Sequence, residues 1–350
     1  MRNIVKLLVC AAVLFSCNGN KNIPDVSGIK VNLGTQRFEQ DFFAMDTNKV
    51  AESMHAILKK YPDFLPDFTY NILGLDLDSL LVPNNPQARG IRMFIHDYMA
   101  LKDSAELMYK DFSKETKAIN QALQFVKYYF PKYQIPASII TFIGPINANF
   151  ETSFGVQGDV LTSKAFGIGL QLHLGKYFSF YRTQEGLEQY PDYISDNFDA
   201  QHIPVNCMRN VIDDMFHDKT NGKALVEQMV DRGRKIYLLT KFLPYTPEYV
   251  CICYTKQQLS DSYNNEAVIW NLFLNNDLLN KTDPNIIKNY IGESPKTQEL
   301  GEGSPGNIGT FSGLQIVKKY MEKFPETTPA ELMKLDARDI FNKAKYKPRS

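Results

Sequence analysis

The spacing of apolar residues predicts a chain built mostly from helices. Residues 47–60 place four apolar side chains on one helical face: Val50, Met54, Ile57 and Leu58. The tripeptide Asn84-Asn85-Pro86 opens a longer helical pattern that runs through Tyr129 and is interrupted around residues 110–117. Pro131 follows directly, and because proline disrupts a helix interior, the pattern should end there.

The second half of the chain shows the same helical period in several blocks. Residues 208–216 place apolar side chains three and four positions apart, and the pattern resumes in residues 225–239 after Asn221-Gly222. Residues 256–279 and 308–323 carry further helical patterns, the last of them after Ser304-Pro305-Gly306. The sequence therefore predicts helices on both sides of a differently patterned centre.

The centre of the chain predicts a small sheet. Residues 137–143 are rich in β-branched side chains, and residues 166–174 alternate in part, so each is expected to form a strand. Gly158-Asp159 is expected to form a turn, and residues 247–254 a short extended run. The expected fold class is mainly α with a small central β-sheet, and because no linker divides residues 24–345, we expect a single domain there.

The N-terminus has the order of a lipoprotein signal peptide. Arg2 and Lys6 precede an apolar run, Leu7 to Phe15, which is too short to span a bilayer. Leu14-Phe15-Ser16-Cys17 then reads as a lipobox. We expect residues 1–16 to be removed, Cys17 to carry lipid and residues 17–23 to form a flexible linker. The alternative is an ordinary signal peptide with a chance cysteine.

The composition limits the kinds of partner molecule that the sequence predicts. The 39 basic and 39 acidic residues leave no excess of positive charge, so the sequence predicts no nucleic-acid partner. No other apolar stretch approaches the length of a membrane span. Three further cysteines lie in the mature chain, namely Cys207, Cys251 and Cys253. Buried free thiols are the simplest interpretation, although Cys207 could pair with one of the others in an oxidising periplasm.

One segment has the spacing of a degenerate metal site. A zinc peptidase helix carries H-E-x-x-H, which puts two imidazoles on one face and a carboxylate beside the bound water. In Asp213-Asp214-Met215-Phe216-His217, only His217 matches a ligand, while Asp213 takes the place of the other. Asp231 on the next helix is the third candidate. A solvated helix end explains the same residues, so we predict no metal, no cofactor and no catalytic residue here.

Other polar residues carry weaker signals. Glu266, in the segment NNEAVIW, lies against an apolar helix face and is a candidate binding residue, with a cap or buried hydrogen bond as the simpler role. The remaining histidines, among them His173 and His202, are expected to be surface or hydrogen-bonded residues. The chain has no G-x-S-x-G nucleophile elbow and no dinucleotide G-x-G-x-x-G motif.

Several segments in order resemble the GldB family, the gliding-motility-associated lipoproteins of the Bacteroidetes. The segments are RFEQDFF (37–43), YPDFLPDF (61–68), YYFPKY (128–133), FGIGLQLHLGKYFSFY (166–181), NNEAVIW (264–270) and SPGNIGTFSGLQIVKKYM (304–321). The resemblance covers nearly the whole mature chain. It implies a role in the envelope machinery behind gliding and the linked type IX secretion, although non-gliding Bacteroidetes carry similar lipoproteins. It also implies a degenerate zincin-like architecture, similar to H-E-x-x-H metallopeptidases that have lost their zinc ligands.

These expectations favour a non-enzymatic lipoprotein, a pseudoenzyme that binds an envelope protein or a cell-wall ligand in a cleft. The alternative is a divergent metal-dependent hydrolase that uses Asp213, His217 and Asp231. A third interpretation is capture of a glycan or peptide. The membrane is the expected partner of the lipid on Cys17. Asn18 is not the aspartate of inner-membrane retention, and no acidic cluster follows Cys17, so we expect a periplasm-facing protein of the cell envelope.

Overall fold

The computed structural model describes residues 23–348, of which most are helical. The predicted signal peptide, Cys17 and the linker through residue 22 lie outside the described residues. The strands are β1 (Thr35–Arg37), β2 (Ser138–Phe142), β3 (Phe150–Thr152), β4 (Gly155–Gln157), β5 (Val160–Leu161) and β6 (Ala165–Gly169).

Seventeen α-helices are found within residues 23–348. They are α1 (Phe38–Phe43), α2 (Val50–Lys60), α3 (Leu65–Asp67), α4 (Leu77–Leu80), α5 (Ala88–Met108), α6 (Ser113–Tyr129), α7 (Gln184–Gln189), α8 (Asp192–Ser195), α9 (His202–Met215), α10 (Leu225–Phe242), α11 (Glu248–Cys251), α12 (Lys256–Asn264), α13 (Glu266–Asn275), α14 (Pro284–Ile291), α15 (Ile308–Lys323), α16 (Pro329–Leu332) and α17 (Ala337–Ala344). A π-helix spans Phe68–Ile72, and 3₁₀ turns span Leu170–Leu172, Ser179–Arg182 and Gln298–Leu300.

The main sheet has four strands in the order β1-β2-β6-β5. β1 and β6 flank β2 in parallel, so that Ile139 lies opposite both Thr35 and Phe166, whereas β5 joins the far edge antiparallel. The residues of β6 and nearly all of β2 are buried, as expected for parallel strands covered on both faces. β3 and β4 form a separate antiparallel hairpin.

An aromatic cluster forms the core beside this sheet. Phe38 and Phe42 lie one turn apart on α1, and the Phe38 ring meets the Phe68 ring with centroids 4.8 Å apart. Phe64 extends the cluster to Phe142 of β2, at 5.7 Å. Such ring pairs add to the free energy gained from burial alone, so the segment 37–43 anchors the N-terminal region to the sheet.

A second hydrophobic cluster lies among α10, α13, α14, α15 and α17. α10 crosses α15 at two glycines, Gly233 and Gly313, which bring the two backbones together. A Cβ atom at Gly313 would lie 1.7 Å from the carbonyl oxygen of Met229. Only glycine permits this approach, so the two helix backbones lie in direct contact at the crossing.

The predicted fold class, mainly α with a small β-sheet, is confirmed. The predicted helices in residues 47–60, 84–129, 208–216, 225–239 and 308–323 correspond to α2, α5 with α6, α9, α10 and α15. The strand predicted at residues 137–143 is β2. The strand predicted at residues 166–174 ends at Gly169 and continues as a 3₁₀ turn. No helix within residues 23–348 combines the length and apolarity needed to cross a membrane.

Two predicted elements were wrong. Residues 247–254 do not form an extended run, because Pro247 is the N-cap of α11 and the chain then turns through Cys253. Residues 256–279 form two helices rather than one. Asn264 and Asn265, both weak helix formers, stand at the junction between α12 and α13.

Candidate functional site

A cleft of about 650 Å³ lies where the β3–β4 hairpin, the start of α9 and the turn after α11 meet. The loops at residues 291–295 and 305–307, the second of which leads into α15, close the opposite wall. This volume falls within the range of small-molecule and peptide pockets. Because five separate parts of the chain contribute to it, the cleft depends on the tertiary fold.

Cys253 lies at the floor of the cleft in a strained turn. Its φ of 56° places a non-glycine residue in the left-handed region, a conformation that persists where the surrounding structure enforces it. The guanidinium of Arg209, on α9, donates from Nη2 to the Cys253 sulfur at 3.1 Å and to the carbonyl oxygen of Cys251 at 3.2 Å. Cys253 is partly exposed to the cleft, whereas Cys207 and Cys251 are buried, and all three are free thiols.

His202, the first residue of α9, lies beside Cys253. Its Nδ1–H donates to a carboxylate oxygen of Asp199 at 2.8 Å, and its side chain also interacts with that of Cys253. The Nε2 atom is buried without a hydrogen-bond partner, as is Nε of Arg209, and the two residues are only 5% and 8% exposed. Buried polar atoms of this kind are costly, so they mark a place where a further group can bind.

The electrostatics couple His202 to Cys253. Burial opposes the charge on His202, but the Asp199 carboxylate and the Cys253 sulfur outweigh it and raise the pKa of His202 to about 9. Burial also opposes a thiolate at Cys253, but Arg209 and His202 lower the pKa of that thiol to about 7. By contrast, burial raises the pKa of Cys251 to about 12. Near neutral pH, Cys253 is therefore the acidic thiol of the three and faces an imidazolium.

A second buried pair, His173 and Asp159, holds Asp199 in place. The His173 ring contacts two acceptors, the Asp199 carbonyl oxygen from Nδ1 at 3.1 Å and the Asp159 carboxylate from Nε2 at 2.8 Å. Asp159, 1% exposed, also accepts from the backbone N–H of Gly169 and from the side chain of Asn206. This network ties β6 and α9 to the loop that carries Asp199.

The opposite wall of the cleft carries charges of both signs. Burial raises the pKa of Glu293, whose carboxylate packs where a Cβ atom of Gly155 would stand. Gly155 has a φ of 113°, so glycine is required there for both conformation and space. Arg232 and the first turn of α15 bring positive charge to the same region. The site thus offers both hydrogen-bond donors and acceptors around the Cys253 thiol.

A sequence profile of the family described as "Gliding motility protein GldB" matches residues 19–348. The chain belongs to the GldB family. Membership of GldB places this chain among the gliding motility-associated lipoproteins of the cell envelope. No curated protein and no solved structure matches it. The predicted similarity to H-E-x-x-H metallopeptidases stays a prediction.

The structure of this GldB-family chain separates the three predicted metal candidates. Asp213 accepts a hydrogen bond from the Ser153 backbone and pairs with Lys235 at 2.8 Å. Asp231 is buried beside Arg234 and Lys223, while His217 is exposed beyond the end of α9. Within residues 23–348, no group of three His, Cys, Asp or Glu side chains is arranged to hold a metal ion.

Glu266 lies far from the cleft in a structural contact. It is the first residue of α13 and accepts a hydrogen bond from the Tyr346 hydroxyl at 2.5 Å. The contact joins α13 to the segment that follows α17. The hydrogen bond is partly buried, and Glu266 does not line the cleft.

The sequence does not identify the residues at the floor of the cleft. It predicts His202 as a surface or hydrogen-bonded residue and places Cys253 in an extended run. Asp159, which is buried and supports Asp199 through His173, is predicted only as part of a turn. One signal was available: a mature chain with a few cysteines, histidines and aspartates can bring one of each together in space without any local motif. The sequence could not show which of them meet.

Proposed function

We propose that this GldB-family lipoprotein supports the gliding and type IX secretion machinery by binding, without turnover, a peptide segment of an envelope partner or of the cell wall. The lipid on Cys17 would hold it to the membrane, facing the periplasm. The observation that carries the proposal is the 650 Å³ cleft, which is large enough for several side chains and is lined by both polar and aromatic residues.

The lining of the cleft fits a peptide. Lys176 and Arg232 supply donors for backbone carbonyls or a carboxylate, while Glu151 and Asp196 supply acceptors for N–H groups or an amine. Aromatic side chains, namely Phe154, Tyr193 and Tyr249, offer apolar surface between them. Mixed charge of this kind suits a chain of alternating donors and acceptors better than a purely anionic or purely apolar ligand.

A site-specific crosslink in native membranes tests this proposal. Tyr193 at the cleft is replaced with the photo-crosslinker benzoylphenylalanine, and the matched control carries the same replacement at Tyr70, which is 74% exposed and outside the cleft. We expect irradiation to link Tyr193→benzoylphenylalanine to an envelope protein or a cell-wall peptide identified by mass spectrometry. Equal products from both positions, or none from position 193, would overturn the proposal.

A second variant addresses the part of the proposal that excludes metal-dependent turnover. His217→Ala removes the candidate ligand that lies exposed beyond α9. Because the proposed function needs no metal there, we expect the variant to complement a deletion strain as well as wild type and the purified protein to hold no stoichiometric zinc. Loss of complementation together with bound zinc would favour the hydrolase instead.

A further inference from the structure

We propose that Cys253 is a nucleophile that captures the acyl group of an ester or thioester ligand in the cleft, with His202 as its proton-handling partner and Asp199 as the residue that orients His202. The inference goes beyond the proposed function, which needs only reversible binding. It concerns the same cleft but rests on different residues from those that suit a peptide.

The geometry is that of an activated nucleophile. A carboxylate bonds one imidazole nitrogen, and the other nitrogen faces the attacking atom, which is the arrangement that serine and cysteine nucleophiles use on unrelated folds. Here Asp199 bonds Nδ1 of His202 at 2.8 Å, Nε2 is buried without a hydrogen-bond partner, and the His202 side chain interacts with that of Cys253. Arg209 adds a permanent positive charge 3.1 Å from the sulfur.

A purely structural role explains these features poorly. A buried structural thiol has a raised pKa and needs no cation, as Cys251 shows two residues away. Cys253 instead holds a left-handed backbone conformation, faces the cleft, and draws two cationic side chains that leave polar atoms unpaired. Strain and unpaired groups of this kind concentrate at functional sites.

The covalent step balances without an added reactant. The Cys253 thiolate attacks the carbonyl carbon of the ligand, and a carbon–sulfur bond forms. The bond from that carbon to the leaving oxygen or sulfur breaks, and the leaving group takes the proton from Nε2 of the His202 imidazolium. The products are a thioester on Cys253, a neutral imidazole and a free alcohol or thiol.

The backbone around Cys253 favours an activated acyl group over an amide. The N–H groups of Cys253 and Tyr254 already donate to the carbonyl oxygens of Val250, at 3.2 Å, and Tyr249, at 2.9 Å. They are therefore not free to stabilise an oxyanion, which amide cleavage requires strongly. Esters and thioesters have better leaving groups and need less of this stabilisation. The same shortage of donors slows hydrolysis of the thioester, so the adduct is expected to accumulate.

The experiment uses the full-length lipoprotein purified from membranes in detergent. With p-nitrophenyl acetate as the probe, we expect release of one equivalent of p-nitrophenol and one acetyl group on the peptide that contains Cys253. In parallel, iodoacetamide should alkylate Cys253 at pH 6 about tenfold faster than a simple thiol of ordinary pKa. At pH 6 a thiol with a pKa of about 7 has a roughly hundredfold larger thiolate fraction than a thiol with a pKa of 9.0. This advantage is offset in part because a more acidic thiol is a weaker nucleophile.

The charges that face the sulfur set the pH dependence of alkylation. His202 and Arg209 approach from α9 and Cys251 from the preceding helix, while Glu293 and Arg232 line the same cleft. The two cations of α9 lower the pKa of Cys253, so alkylation should fall as pH falls through about 7. In His202→Gln the midpoint should move to higher pH, whereas in Cys251→Ala, the matched control, it should stay near 7.

Each outcome decides for or against the inference. Acetylation of Cys253 that is lost in Cys253→Ala and slowed in His202→Gln supports it, provided that circular dichroism shows both variants folded. If either variant is unfolded, peptide mapping of wild type alone decides, because Cys207 and Cys251 serve as internal controls. Acetyl groups spread over all three cysteines, or alkylation of Cys253 with an ordinary midpoint, would overturn it. Crosslinking at position 193 without acylation would leave the proposed binding function intact and reject only this inference.

Discussion

At the residue scale, Asp199 serves two purposes. Its carboxylate caps α9 by accepting from the backbone N–H groups of Gln201, at 3.0 Å, and His202, at 3.3 Å, and it also accepts from the His202 ring. Its carbonyl oxygen contacts His173. Asp199 therefore bonds the backbone N–H groups at the start of α9 and also orients the His202 imidazole on that helix. The two purposes can be separated by changing charge without changing shape.

Asp199→Asn makes this separation. An amide oxygen still accepts from the backbone, so the free energy of unfolding should fall by no more than about 1 kcal/mol, the size of one charge at a helix N-terminus. The pKa of His202 should fall, because its anionic partner is gone, and the pKa of Cys253 should rise in turn. The measurement is the pH dependence of Cys253 alkylation. An unchanged midpoint would show that Asp199 acts only as a helix cap.

Asp159 has a purely structural position beneath Asp199. Asp159→Ala would leave the side chains of His173 and Asn206 and the N–H of Gly169 without their acceptor inside the protein. Breaking a buried charged network of this kind costs about 3–5 kcal/mol, measured by urea unfolding. The control is Asp63→Ala, an exposed partner of Lys164, for which a loss of roughly 0–1 kcal/mol is expected. Similar losses in the two variants would contradict the assigned role.

The sequence could anticipate few of these residues. The sequence predicts surface or hydrogen-bonded roles for the histidines, and the His173 ring has both nitrogens in contact with acceptors. His202 has the same residue type and a similar degree of burial, yet only one of its nitrogens is bonded. The two rings differ in the number of bonded nitrogens because different loops pack against them. The residue type alone does not predict which loop packs against a histidine.

At the element scale, the length of a segment decides how well sequence predicts it. α5, α6, α10 and α15 each repeat their apolar period over several turns, and their positions follow from that period. α11 has four residues, barely one turn, so the valine, isoleucine and tyrosine of residues 247–254 suggested a strand instead. Strands β3, β4 and β5 have two or three residues and are formed by their partners rather than by local preference.

The crossing of α10 and α15 gives a prediction at this scale. Gly313→Ala would place a methyl group 1.7 Å from the Met229 carbonyl oxygen, so the helices must separate and the free energy of unfolding should fall by about 1–3 kcal/mol or more. Gly303→Ala is the matched control, since its added Cβ would meet nothing within 4 Å and its φ lies outside the left-handed region. It should change stability by less than about 0.5 kcal/mol. Chemical denaturation compares the two, and equal stability would show that the crossing tolerates a side chain.

At the scale of the whole molecule, the candidate site depends on long-range packing. Asp199 and His202 follow the sheet, Cys253 follows α10 and α11, and the loop before α15 closes the opposite wall. No spacing in the sequence encodes their meeting, because the three segments converge only once α9, α10 and α15 have packed. The fold class followed from composition and period, whereas the site required the tertiary arrangement.

At the same scale, the short segment between Cys17 and Ile23 limits how far the protein can lie from the membrane. A chain extends by at most about 3.3–3.6 Å per residue, so the segment from Cys17 to the first described residue, Ile23, can reach roughly 20 Å. A lipid on Cys17 would therefore keep Ile23 within roughly that distance of the membrane surface, and a soluble form would lose that proximity. We expect Cys17→Ala to yield a folded protein that fractionates away from membranes and fails to complement a deletion strain. Full complementation by a soluble, correctly exported form would show that the anchor is dispensable.

A variant that keeps Cys17 but has a longer glycine-serine linker separates the two effects of the lipid, attachment to the membrane and proximity to its surface. If proximity matters, complementation should decline as the linker grows, even though the protein stays on the membrane.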